Sequence, residues 1–122
     1  MITRLKIVRP LILLWAIFPV QIYGQAVTGT ILGVVTDPAG GVVPNVGITV
    51  RSVETGITKG VTTNETGNYS IPFLNPGTYT LEAKHADFKT FVQENIGVQV
   101  ASLTRVDVRL ELGEVSQRIV VS

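Results

Sequence analysis

Beyond residue 26, apolar and polar positions alternate with a period of two, the pattern of half-buried strands. Thr30 to Asp37 (TILGVVTD) places Ile31, Gly33 and Val35 on one face and Leu32 and Val34 on the other, as in a strand covered on both sides. In Val46 to Val53, Ile48 and Val50 point inward while Thr49 and Arg51 point outward. Ile57 to Thr63 is threonine-rich and weakly apolar, which predicts an edge strand. Asn68 to Phe73 contains Pro72, which cannot donate to a ladder, so that strand is expected at an edge or broken there. Thr78 to Lys84 alternates Tyr79, Leu81 and Ala83 with polar residues. Phe88 to Gln93 predicts a further extended segment. Ile96, Val98 and Val100, then Val106, Val108, Leu110 and Leu112, predict two strands paired across Ala101 and Ser102. Glu114 to Ser122 begins one more strand pattern. No window after residue 26 keeps the three-and-four spacing of a helix.

Turn chemistry separates these runs. Asp37 to Gly41 (DPAGG) and Glu54 to Gly56 are breaker clusters. Thr63 to Leu81 (TNETGNYSIPFLNPGTYTL) holds two turns, one ending in Gly67 and one at Asn75, Pro76 and Gly77. For the second, a type II geometry is expected, because proline presets φ and glycine accepts the positive φ that follows. Tyr69 and Tyr79 each lie two residues after a turn glycine, which predicts two inward-facing aromatics on neighbouring strands. Seven or eight short strands with turns between them make the expected fold an all-β, antiparallel β-sandwich.

The first 26 residues follow a different rule. Arg4, Lys6 and Arg9 precede an apolar run, Leu11 to Val20, only ten residues long, whereas a bilayer-spanning helix needs roughly 20. The segment 1–26 is expected to be a secretory signal peptide, cleaved after Ala26 or alternatively after Gly24; an uncleaved anchor is the other reading. Three of the ten Lys and Arg lie in this segment and all nine acids follow it, so the remainder carries a net charge of −2. The basic balance of the whole chain thus belongs to the targeting segment, and no basic patch is left to suggest nucleic acid. The chain has no Cys, hence neither a disulfide framework nor thiol chemistry. The expected organisation is 1–26 signal, 27–113 sandwich, and 114–122 a terminal strand or link to a further domain.

The side chains suited to catalysis or metal binding are few. His85 is the only histidine, without the partners that a metal site or general base needs, and is expected in a surface loop. Asp37, Asn64 and Glu65 could supply oxygens to calcium, but the dense acidic loop pattern is missing; turn bonding to local backbone is the expected role. Asn64-Glu65-Thr66 and Asn68-Tyr69-Ser70 match the glycosylation sequon, a match expected to be accidental. No catalytic, cofactor-binding or metal residue is assigned, and no cofactor is expected.

Gly29, Ile31, Gly33, Val35 and Asp37, then Pro44, Val50, Thr55 and Gly56, then Gly67, Tyr69, Leu74, Pro76, Gly77, Tyr79 and Phe88 resemble, in order and spacing, the carboxypeptidase regulatory-like domain, a transthyretin-like β-sandwich. Where such domains often carry glycine before the phenylalanine, this chain has Asp87, which tolerates left-handed φ better than most residues. The resemblance implies a core position for Phe88. The related transthyretin-like hydrolases need several histidines and a C-terminal motif, both missing here. Related sandwiches also bind glycans on exposed aromatics; with Tyr69, Tyr79 and Phe88 inward, Phe73 and Phe91 are the two rings expected at the surface. A covalent clasp of the collagen-adhesin type would need a Lys on the first strand and an Asn on the last, and neither is present.

Signal, domain and tail (VRLELGEVSQRIVV) together resemble the start of TonB-dependent outer-membrane receptors of the Oar-like type. That resemblance implies a non-catalytic exported module in the periplasm or outer membrane of a Gram-negative-type cell, with a transporter barrel or plug, or another envelope protein, as partner. The terminal strand, as an unpaired apolar edge, would be its link. The alternative is a secreted carbohydrate-binding-like module with a glycan as partner.

Overall fold

The computed structural model describes residues 27–113 and 118–121. The expected signal segment and most of the link therefore lie outside the described residues. Among the described residues, nine strands form two sheets: β1 (Gly29–Thr36), β2 (Gly47–Ser52), β3 (Thr58–Thr62), β4 (Asn68–Leu74), β5 (Gly77–Lys84), β6 (Thr90–Val98), β7 (Leu103–Arg105), β8 (Val108–Arg109) and β9 (Arg118–Val121). One sheet runs β4-β1-β7, with β8 also on β1; the other runs β3-β2-β5-β6-β9. The architecture is the expected all-β sandwich, and β3 and β4 lie at edges as their composition predicts.

The alternation places the core. Ile31 and Val35 from β1, Ile48 and Val50 from β2, Tyr69 and Ile71 from β4, and Tyr79, Leu81 and Ala83 from β5 meet between the sheets. The two tyrosines project from consecutive strands in opposite sheets. At about 25 cal/mol per Å² of apolar surface removed from water, burial of this kind is the main stabilising term for a chain without disulfides.

The C-terminal third departs from the predicted pairing. The expected hairpin of Ile96–Val100 with Arg105–Leu112 does not form. Instead the chain crosses at Ala101 to the other sheet, where β7 and β8 both pair with β1 in parallel. Alternation sets which face a residue occupies but not which strand lies beside it, so both pairings satisfy the same pattern. Asp107 interrupts the ladder between β7 and β8, and its carboxylate accepts the Val34 N–H at 3.0 Å. Val106, Val108 and Leu110 are buried as expected, whereas Val100 and Leu112 are exposed.

The extended segment from Phe88 and the run at Ile96 are one strand, not two. Opposite Tyr79 and Leu81 stand Ile96 and Gln93, so β6 carries an extra residue at a bulge, with Asn95 at φ 59°. The bulge bends β6 without ending it, and it shifts the inward parity between Phe91 and Ile96. The terminal strand is not unpaired: β9 lies parallel to β6, Thr90 to Gln93 facing Arg118 to Val121.

Close approach explains Gly33. A Cβ there would lie 1.9 Å from the Val106 carbonyl oxygen, so only glycine lets β1 run under the chain between β7 and β8. The Tyr69 hydroxyl donates to the same carbonyl, tying β4 to this crossing.

Candidate interaction surface

Of the residues singled out for chemistry, Asp37, Asn64 and His85 are occupied in local structure. The Asp37 carboxylate accepts the N–H groups of Ala39 and Gly41 at 2.9 and 2.8 Å. Asn64 Oδ1 accepts from the Thr66 N–H, the Thr66 hydroxyl and the Asn68 N–H, all within 3.0 Å. These are Asx-type turns. His85 lies in the connection between β5 and β6, its ring edge-on to Phe88 at 5.3 Å, with the Asp87 carboxylate 3.9 Å from its Nδ1. Asp87 does not take positive φ, so the position where glycine is common needs none here. Among the described residues, no group of three His, Cys, Asp or Glu is placed to hold a metal ion, and no buried side-chain polar atom lacks a partner.

Several ionisable groups are perturbed for structural reasons. Burial pushes the Tyr69 phenol well up, with the Asp107 charge adding to it. Burial also raises Tyr79, helped by Glu54. Glu54 is held below the usual carboxylate range by backbone N–H donors, its own and that of Thr78. For Asp107, burial pushes the carboxyl up, but the Val34 N–H and the Arg105 guanidinium outweigh it and the net direction is down.

Two residues with structural roles carried no sequence signal. Thr63 is buried and bridges two loops: its hydroxyl donates to the Val43 carbonyl and accepts the Val46 N–H, each at 2.9 Å. Asp107 reads in sequence as one more outward residue of an alternating strand. In neither case does residue type or spacing distinguish the position from its neighbours.

The aromatics divide differently from the expectation. Phe88 is buried, as the resemblance implied. Phe91 is only 8% exposed: it pairs with Ala83 and shares its inward face, because the bulge resets the alternation. Phe73 alone of the two candidate surface rings is outside, 73% exposed.

Phe73 belongs to an apolar end of the sandwich. A groove there is lined by Thr28, Thr30 and Ser102 together with Pro72, Phe73, Ala101 and Leu103. Leu103 is 74% exposed, and Val27 and Val100 are also exposed. The Ala101 N–H donates to the Thr28 carbonyl at 3.0 Å and the Thr30 N–H to the Ser102 carbonyl at 3.0 Å, which fixes the β6–β7 turn beside the start of β1. The expected type II turn after β4 is not what forms: Gly77 has φ 154°, and the left-handed residue is Phe73 at φ 61°. Lys59 Nζ donates to the Phe73 carbonyl at 2.6 Å. Ala101 is also left-handed, at φ 54°. For a bulky residue such as phenylalanine this conformation is an outlier that costs of order 1 kcal/mol or more.

A second surface is the outer face of the five-stranded sheet. A groove there is lined by Thr49, Arg51, Thr58, Thr80, Glu94 and Arg118 among others, hydroxyls and charges without an aromatic ring. Arg118 reaches Glu82 at 3.6 Å, a surface pair of small worth.

Comparison with known proteins adds context to this geometry. The family model of the carboxypeptidase regulatory-like domain matches residues 30–111. The TonB-dependent transporter Oar of Myxococcus xanthus is 36% identical over 105 residues, covering 77% of this chain and 10% of the transporter. The chain thus spans a tenth of the length of that curated relative. Among solved structures, a protein from Bacteroides uniformis whose name proposes carbohydrate binding superposes with TM-score 0.57 at 20% identity, over 71% of this chain and 42% of its own. Catechol 1,2-dioxygenase from Acinetobacter sp. superposes with TM-score 0.54 at 9% identity, over 75% and 55% respectively. At such identities the likeness shows a shared sandwich and nothing of shared chemistry.

Proposed function

The chain belongs to the carboxypeptidase regulatory-like domain family, and on that premise we propose that it is a non-catalytic module of the cell envelope, the periplasmic accessory domain of a TonB-dependent transporter or a fragment of one. The observation that carries this reading is the 36% identity to the Oar transporter across 77% of the chain. The geometry is consistent with it: the Asp37 and Asn64 side chains serve turns, and the conspicuous exposed feature is an apolar end suited to contact rather than to reaction. In this reading residues 1–26 direct export and no cofactor takes part. The partner is the transporter's own plug or barrel, or another envelope protein, and nucleic acid has no role.

Fractionation tests the proposal. Cells making the chain with a C-terminal epitope are separated into cytosol, periplasm, membranes and medium. Recovery in the periplasm or outer membrane is expected, and retention in the cytosol would contradict the assignment.

A second reading, a secreted carbohydrate-binding module, draws on the Bacteroides fold neighbour. Among the described residues, the burial of Phe91 leaves it a single exposed ring, Phe73, where stacking platforms use several. A glycan array that gives a signal abolished by Phe73→Ala would favour it, and a blank array would count against it.

A further inference from the structure

We infer that the free edge of β3 is a self-association site, where β3 of a second copy of this chain adds antiparallel and joins the two five-stranded sheets into one. The inference stands on strand geometry and goes beyond the function proposed above, which a monomeric chain would leave untouched.

The sandwich has several open strand edges, and most are poor templates for another strand. β4 is interrupted by Pro72, which has no N–H to give, and by the bulge at Phe73, whose carbonyl already accepts from Lys59 Nζ at 2.6 Å. β7 and β8 hold three and two residues, and β9 holds four. β3 is different. Among the described residues it is the edge that runs five residues against its neighbour with no register shift and no proline. Its one charge, Lys59, takes the inward parity that often guards an edge, but the ammonium is drawn onto the Phe73 carbonyl of its own domain and not into the path of an incoming strand.

The ladder with β2 decides which backbone groups point outward. The Ser52 N–H donates to the Ile57 carbonyl at 2.9 Å, and the Thr63 N–H donates to the Val46 carbonyl at 3.0 Å. Bonded and non-bonded positions alternate in an antiparallel pair, so Ile57, Lys59, Val61 and Thr63 turn their backbone groups toward β2. Thr58, Gly60 and Thr62 turn theirs along the open edge.

That edge is self-complementary, which identifies the occupant. The outward residues lie symmetrically about Gly60, so a two-fold axis there sets Gly60 opposite its own copy and Thr58 opposite Thr62 of the second copy. Each opposed pair exchanges two hydrogen bonds, six in all. The side chains agree with this register. Thr58 and Thr62 share the outer face, where threonine pairs across strands are favourable, and on the inner face Lys59 meets Val61, so no like charges are opposed. Gly60 leaves the axis free of side chains.

Sedimentation equilibrium of the purified chain, over roughly a hundredfold range of concentration and beside Gly60→Pro, tests the site. Proline removes an outward N–H and leaves the β2 ladder intact, so the melting midpoint of dilute protein is expected to hold. Wild type is expected to form a dimer as concentration rises, and Gly60→Pro to dimerise roughly 30-fold more weakly for the two hydrogen bonds it deletes. A wild-type chain that stays monomeric throughout would overturn the inference. A dimer that Gly60→Pro leaves equally tight would overturn it too, placing self-association elsewhere. If Gly60→Pro lowers the midpoint, disulfide trapping decides in its stead, because the chain has no cysteine of its own. Gly60→Cys chains are then expected to join on oxidation faster than chains with Glu65→Cys, an exposed control. Equal rates at the two positions would overturn the site.

Discussion

The two ends of β1 meet a similar backbone demand with different residues. At the Thr36 end, left-handed backbone falls to Gly40 at φ 89°, Gly67 at φ 73° and Asn45 at φ 61°, and the carboxylate of Asp37 and the amide of Asn64 satisfy the local N–H groups. At the Gly29 end, left-handed backbone falls to Phe73 and Ala101, and the exposed side chains are apolar. The first end is what selection for a stable fold alone would produce, because glycine carries no Cβ penalty in that region. At the second, β4 carries one extra residue at Pro72 and Phe73 opposite Gly29 and Ile31, a bulge that turns Leu74 into the core and leaves the Phe73 ring outside. The comparison teaches that Asx-bonded polar turns and a bulge on an apolar residue meet one backbone demand and leave different surfaces behind.

The largest expected effect comes from breaking the glycine end. A Cβ on Gly67 would lie 2.8 Å from the Val35 carbonyl oxygen in addition to its left-handed φ, so Gly67→Ala should cost about 2 kcal/mol or more, measured as a fall in the urea midpoint. A loss below ~0.5 kcal/mol would mean that this end is not tightly specified. Next is the link at the middle of β1. Tyr69→Phe removes the hydroxyl that donates to the Val106 carbonyl, and about 1 kcal/mol of stability is expected to go with it. An unchanged midpoint would show that solvent or another donor replaces the bond.

A smaller, pH-dependent effect belongs to Asp107. Its folded pKa is lowered, so the stability it contributes is fully present above its unfolded pKa near 4 and is lost as pH falls through the folded value. Stability of the wild-type chain below about pH 4 should therefore decline more steeply than that of Asp107→Asn. Parallel curves for the two would remove Asp107 from the account of acid sensitivity.

Much of the sandwich was legible because alternation specifies faces. Ile48, Val50, Tyr69, Leu81 and Val108 point where period two puts them. Strand partners were less legible, since the same period serves an antiparallel hairpin and a parallel crossing; β7 and β8 on β1 are the instance. Phe91 was read as exposed because the bulge at Asn95 carries no proline or glycine to announce the change of parity. The apolar end was half legible. Phe73 was picked out as a free ring, but its left-handed backbone, and that of Ala101, has no signal in residue types that normally avoid it.

The measurement that bears most directly on the contrast between the two ends is the equilibrium unfolding of Phe73→Gly beside wild type. Glycine removes the left-handed penalty and an exposed ring together, at the cost of extra freedom in the unfolded chain. The account predicts a midpoint unchanged or raised, by up to about 1 kcal/mol. A loss of more than about 1 kcal/mol would show that the Phe73 side chain itself stabilises the domain, and would contradict the reading of the β4 bulge as a backbone device whose ring is left outside.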